Sequence, residues 1–143
     1  MTYILIGFVG IVLLFAVFMS FRYSNIEMPK YTVLKSYERN IELRQYPNMI
    51  VAKTSVKDKS FENSGSDGFR SIAGYIFGGN EKEQKIAMTS PVVMELNDSA
   101  TMYFVMPSQY KKDDLPNPSN KNVTIQEEVS KVLLVVRYGG YSN

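Results

Sequence analysis

Lys85-Ile86-Ala87-Met88-Thr89-Ser90-Pro91-Val92 is the stretch that decides how the chain is read. It joins a strongly apolar run, a methionine and a proline that cannot donate to a β-ladder. It follows Gly78-Gly79-Asn80, which closes a short helical pattern. In that pattern Phe69, Ile72, Ala73 and Ile76 recur at helical spacing, and Gly78-Gly79 supplies the stop signal. Gly74 weakens the helix by about 1 kcal/mol relative to alanine, so packing on a sheet must hold it. From Lys85 to Leu96 the pattern predicts a strand interrupted at Pro91, with an edge, a bulge or a change of strand there.

Working outward, the N-terminal side is strand-like from Tyr31. Ile41 and Leu43 alternate with Glu42 and Arg44, which suits a sheet with one wet face. Tyr46-Pro47-Asn48 is a turn signal, and Met49 to Val56 is a second alternating run. The two runs are predicted to pair as a hairpin. Asp58 to Gly68 is polar and offers Ser60, Ser64 and Ser66 as helix N-caps. On the other side, Asn97-Asp98-Ser99-Ala100 marks a turn and Thr101 to Met106 a strand. Pro107 to Lys121 reads as a long loop. Val123 to Glu127 and Lys131 to Arg137 read as a hairpin-like pair. The order β-β-α-β-β-loop-β-β predicts an α+β fold: a distorted open β-barrel or curved antiparallel sheet with one packed helix. Gly139-Gly140 reads as a turn toward a further element, so the domain is expected to be incomplete at its C-terminus.

Tyr3 to Phe21 carries no charged residue. As a helix, its nineteen residues would rise about 28 Å, close to the hydrocarbon thickness of a bilayer. The layout read from this is a transmembrane anchor at 1–23, a linker at 24–30 and one domain at 31–143. The rival reading is a cleaved signal peptide. It lacks a basic n-region and a clear small-residue cleavage site. Arg22, Lys30, Lys35 and Arg39 follow the span, which places the domain on the cytoplasmic side by the positive-inside rule. The expectation is a single-pass membrane protein.

Composition removes several chemistries. The chain has no cysteine and no histidine. That eliminates disulfides, thiol nucleophiles, zinc-thiolate sites, Ser-His-Asp catalysis and histidine ligation of a metal. Its 16 basic and 14 acidic residues are interspersed, with no block of one sign, so a nucleic-acid surface is not expected. Gly78-Gly79-Asn80 follows a helix and lacks the Gly-Lys-Ser/Thr ending of a phosphate loop. Glu81, Glu83 and Glu95 have no spacing that pairs them as acid and base.

Four stretches together resemble the SOUL haem-binding protein family: Tyr37-Glu38-Arg39-Asn40-Ile41-Glu42-Leu43-Arg44-Gln45-Tyr46, Phe69 to Asn80, Lys85 to Val92, and Val136-Arg137-Tyr138-Gly139-Gly140. They fall in the family's order across most of residues 31–141. The resemblance implies a distorted β-barrel with two helices in two pseudo-symmetric halves, the chain stopping before the second helix. It implies a non-enzymatic binding module for haem or a related tetrapyrrole. The family's proposed groove follows the first helix, which here carries Phe69, Arg70, Ile72, Ala73 and Ile76. Some members are proposed to use an axial histidine at the position that is Gln45 here. This chain resembles instead those that hold haem by apolar and ionic contacts.

On that reading Lys85 joins Arg70 and Lys82 as cations for haem propionates, against their ordinary role as solvated charges. Met88 is the methionine to test as a ligand. Met94, Met102 and Met106 fit core packing, as do Tyr46, Tyr75 and Tyr103. The expected partners are a non-covalent haem and a membrane met through the N-terminal helix, with a buffering or carrier role. Two alternatives stand beside this one. The first is a module of the same fold for another hydrophobic small molecule or a protein partner. The second is a tethered hydrolase using Glu95 or Tyr75.

Overall fold

The computed structural model of the chain describes residues 8, 10–18, 26–38, 40–56, 61–96 and 100–139. An N-terminal helix, α1, covers residues 10–18. There follow β1 (Thr32–Tyr37), β2 (Ile41–Tyr46), β3 (Met49–Ser55), α2 (Phe61–Ile76), β4 (Val92–Leu96), β5 (Ala100–Val105), a 3₁₀ turn at Lys112–Asp114, β6 (Val123–Glu128) and β7 (Lys131–Val136). All strand pairs are antiparallel. The strands make two separate sheets, one of order β1-β2-β7 and one of order β4-β5-β3-β6.

The α+β class holds, but these strands form no closed barrel. Both predicted hairpins are also replaced by other pairings. β2 and β3 are joined only by Pro47-Asn48, yet they belong to different sheets: β2 pairs with β1 and β7, and β3 with β5 and β6. β6 and β7 part in the same way across Val129-Ser130. Each short connection is a corner where the chain leaves one sheet for the other.

The strand predicted from Lys85 is shorter than expected. Lys85 and Thr89 make only isolated bridges, to Phe77 and Glu27, and regular pairing begins at Val92, after Pro91. The Ser90–Pro91 peptide is cis.

Helix α2 begins at Phe61, well before the predicted pattern. It packs on the four-stranded sheet through Ile72, Tyr75 and Ile76, which meet Ala52, Met102 and Phe104 in one buried cluster. Alternation along β3 and β5 splits that sheet cleanly. Ala52, Met102 and Phe104 face the helix, while Val51, Tyr103 and Val105 form a smaller cluster on the opposite face. Burying each of the larger apolar side chains contributes about 1.5–3 kcal/mol.

The Gly-Gly-Asn motif is a structural knot. Gly78 has φ +111°, and a Cβ at Gly79 would stand 2.7 Å from the carbonyl oxygen of Gly74. Only glycine lets the chain turn this tightly off the helix. Asn80, 3% exposed, then donates from Nδ2 to the carbonyls of Tyr75 and Gln84. Its Oδ1 accepts from the backbone N–H groups of Lys82 and Gln84. The backbone of Gly79 and Glu81 is tied to Asn117 and Ser119.

The single-pass membrane placement is not supported. Among the described residues no helix is long and apolar enough to cross a membrane. Apart from residues 8 and 10–18, the predicted span lies outside the described residues, as do Ser60, the turn at Asn97-Asp98-Ser99 and the last four residues. The inference of a cytoplasmic domain beside a bilayer falls with the anchor.

Candidate functional site

The residues expected to line a groove along α2 divide into two sets. Ile72, Ala73 and Ile76 are 0%, 8% and 1% exposed. Ile72 and Ile76 are core, packed on the sheet, and present no free wall. Phe69, Arg70, Lys85 and Met88 are exposed, with Phe69 at 40% and Met88 at 36%. Met94 is partly buried, and Met102 and Met106 are buried in the core, as expected of packing methionines.

Phe77, absent from the predicted set, completes the exposed part. Its N–H bonds the carbonyl of Ala73 at 2.9 Å, so the helical spiral continues through it. Its ring is 60% exposed. Phe69, Ala73 and Phe77 therefore follow one another at i, i+4 and i+8 along about 12 Å of helix. Phe69 leans on the buried Phe104, ring centroids 5.4 Å apart, which fixes its position. Gly74 is exposed, and a Cβ placed there would meet nothing within 4 Å. Phe69 and Phe77 are thus exposed at the two ends of a stretch whose middle residue, Ala73, is buried, and the neighbouring Gly74 is exposed and carries no side chain.

Cations edge this surface. Arg70 lies beside Phe69 on α2, and Lys85 is bridged directly opposite Phe77. Lys82 is exposed in the turn between them. A second concentration of charge lies on the far face of the four-stranded sheet. There Lys53 contacts Glu95 at 3.1 Å and Glu128 at 3.5 Å, while Lys131 of β7 contacts Glu95 at 3.6 Å and Glu128 at 3.4 Å. Both ammonium groups also lie over the ring of Tyr103. Burial alone would raise the Glu95 pKa, but the hydrogen bond and charge of Lys53, helped by Lys131, hold it below the usual carboxylate value. Burial likewise pulls Lys53 down, and Glu95 and Glu128 outweigh it, leaving its pKa raised. Lys131 is raised by Tyr103, Glu128 and Glu95 against the same burial.

This arrangement does not supply the acid–base pair that a hydrolase would need. Glu95 is committed to two ammonium groups. The Tyr75 hydroxyl donates to the carbonyl of Pro116 at 3.0 Å inside the core, and burial pushes its pKa up to about 12. Among the described residues no group of three or more acidic side chains is placed to hold a metal ion.

The α2 surface does suit a planar tetrapyrrole that bears two carboxylates. The exposed rings of Phe69 and Phe77 offer apolar contact, and Arg70 and Lys85 offer charge-assisted partners for carboxylates. The chain has no histidine or cysteine, and Met88 is exposed at 36%.

Comparison with known proteins points the same way. Residues 26–143 match the family described as SOUL heme-binding protein. Heme-binding protein 1 of Xenopus laevis is 28% identical over 109 residues, covering 71% of this chain and 57% of that protein. Heme-binding protein 2 of Mus musculus is 27% identical over 129 residues, covering 82% of this chain and 62% of its own length. Heme-binding protein 2 of Homo sapiens is 29% identical over 110 residues, covering 71% and 53%. The chain thus spans between 53% and 62% of the length of the last two relatives. These names describe binding and state no reaction.

Proposed function

The chain belongs to the SOUL heme-binding protein family, and on that premise we propose that it binds haem non-covalently on the open surface of α2. The bound group would supply the iron-porphyrin chemistry, and the protein would supply a bed and its anchors. Phe69 and Phe77 would supply the apolar contacts to the macrocycle. Arg70 and Lys85 hold the propionates. Met88 would be the sulfur-bearing side chain to test for contact with the iron. The role is that of a buffer or carrier, without catalysis. The carrying observation is that Phe69 and Phe77 both stay exposed along α2, beside the exposed cations Arg70 and Lys85. Two exposed phenylalanines and no covering side chain are costly for a plain surface helix and useful for a flat apolar ligand.

Hemin titration followed in the Soret region tests this reading. Saturable binding of one hemin per chain is expected. Replacing Phe69 and Phe77 together by serine is expected to weaken it at least tenfold with little change in the far-ultraviolet circular dichroism. No saturable Soret change in the unmodified chain would sink the haem reading. Equal affinity in the double variant would move the site off α2.

A further inference from the structure

The two sheets enclose a second hollow that the α2 surface does not use. It holds about 760 Å³ of empty space, open solvent included. Its floor is the inner face of the four-stranded sheet, with Val93, Tyr103 and Val105, and Leu133 of β7 lies across from them. Because neighbouring residues of β3 and β5 point to opposite sides, this hollow and the α2 surface lie on opposite faces of one sheet.

Its charge is one-sided. The lining includes Arg44, Lys131 and Arg137 and no carboxylate. The acids that balance two of these cations are Glu42, which receives Arg44 at 2.7 Å, and Glu95 with Glu128, which receive Lys131. None of the three lines the hollow. Arg137 is exposed and has no ion-pair partner among the described residues. The Arg44 guanidinium is 8% exposed as a residue, stands 4.1 Å over the Tyr31 ring and is fixed by Glu42. Tyr46 stands 5.6 Å from Tyr31, ring to ring. The charged part of the lining is therefore all cationic, with Arg44 and Lys131 held by acids outside the hollow, and the rest is largely aliphatic and aromatic.

We propose that this hollow is a separate binding site for a small anionic amphiphile, one carboxylate on an apolar body. The body displaces water from Val93, Val105, Leu133 and the tyrosine rings. The carboxylate meets Arg137, which has no ion-pair partner among the described residues, with Arg44 and Lys131 as the other cations of the lining. An uncharged analogue gains only the apolar part, and a cationic one is repelled. The site is independent of haem binding, since it shares no residue with the α2 surface.

The test is calorimetric titration of the full chain with dodecanoate, dodecanol and dodecylammonium, each alone and after saturation with hemin. Dodecanoate is expected to bind once per chain, at least tenfold more tightly than dodecanol, with dodecylammonium not binding. Arg137→Glu, at an exposed position, is expected to cost dodecanoate tenfold or more. Leu133→Trp, which fills the hollow, is expected to abolish binding. Both variants should leave the hemin titration unchanged. Equal affinities for dodecanoate and dodecanol would overturn the proposal. So would unchanged dodecanoate binding in both variants, or displacement of dodecanoate by hemin one for one.

Discussion

On the four-stranded sheet, Ala52, Met102 and Phe104 are almost wholly buried beneath α2; on the three-stranded sheet, Val132, Leu133, Leu134 and Val136 are 51%, 41%, 62% and 54% exposed. Both sheets are built from short antiparallel strands that carry apolar residues. The difference lies in what covers them. The first has a helix whose apolar stripe matches its face, and the second has solvent among the described residues. Burial in the first sheet holds the fold. Apolar surface left outside that core, at Phe77, Leu133 and Leu134, is available for ligands or partners.

Three substitutions break or sharpen this contrast. Ile72→Ala cuts into the closed region and leaves a cavity between α2 and the sheet. A loss of about 2–5 kcal/mol is expected in urea unfolding. A loss below about 1 kcal/mol would mean that the helix is not the lid of the core.

The ion quartet joins the two regions, since Lys131 reaches from β7 to the other sheet. Glu95 has a depressed pKa in the fold, so its contribution is present above its ordinary value of 4.5 and is lost as pH falls through the lower folded value. The raised pKa values of Lys53 and Lys131 place the opposite limb above 10.5, where their contribution is lost as pH rises. Lys131→Met should therefore cost about 1 kcal/mol or less near neutral pH. It should also flatten the fall in stability as pH drops below about 4.5. Identical acid limbs for the two proteins would show that the quartet does not link the sheets energetically.

The smallest effect belongs to the open sheet. Leu134→Ser, at a side chain more than half exposed, should change stability by no more than about 0.5 kcal/mol. A larger loss would mean that this face is covered in solution.

Much of the strand content was legible, because alternation survives in Ile41 to Tyr46, Met49 to Ser55 and Ala100 to Val105. The partners were not legible. Two-residue links at Pro47-Asn48 and Val129-Ser130 look like hairpin turns, yet the chain uses them as corners between sheets. The start of α2 was hidden because Phe61 to Gly68 is polar and holds two glycines, and Gly68 is buried against Val56 and Met102 by tertiary packing. At the proposed site, the family-like stretches led to the helix and to Arg70 and Lys85, which the structure shows as exposed. Which helix face stays open could not, since Ile72 and Phe69 are equally apolar and only the sheet decides between them. Phe77 did carry a signal, its i, i+4 spacing from Ala73, but the glycines after it masked the last helical bond. Lys85 to Val92 proved to be the junction between α2 and β4, with regular pairing starting only after its proline.

The central claim is that haem lies on the open surface of α2 and not between the sheets. Paramagnetic broadening of assigned amide resonances on adding hemin tests it directly. The account predicts broadening centred on Phe69, Gly74, Phe77 and Lys85, with Tyr31, Arg44 and Leu133 much less affected. Broadening centred on Tyr31, Arg44 and Leu133, or none at saturating hemin, would contradict it.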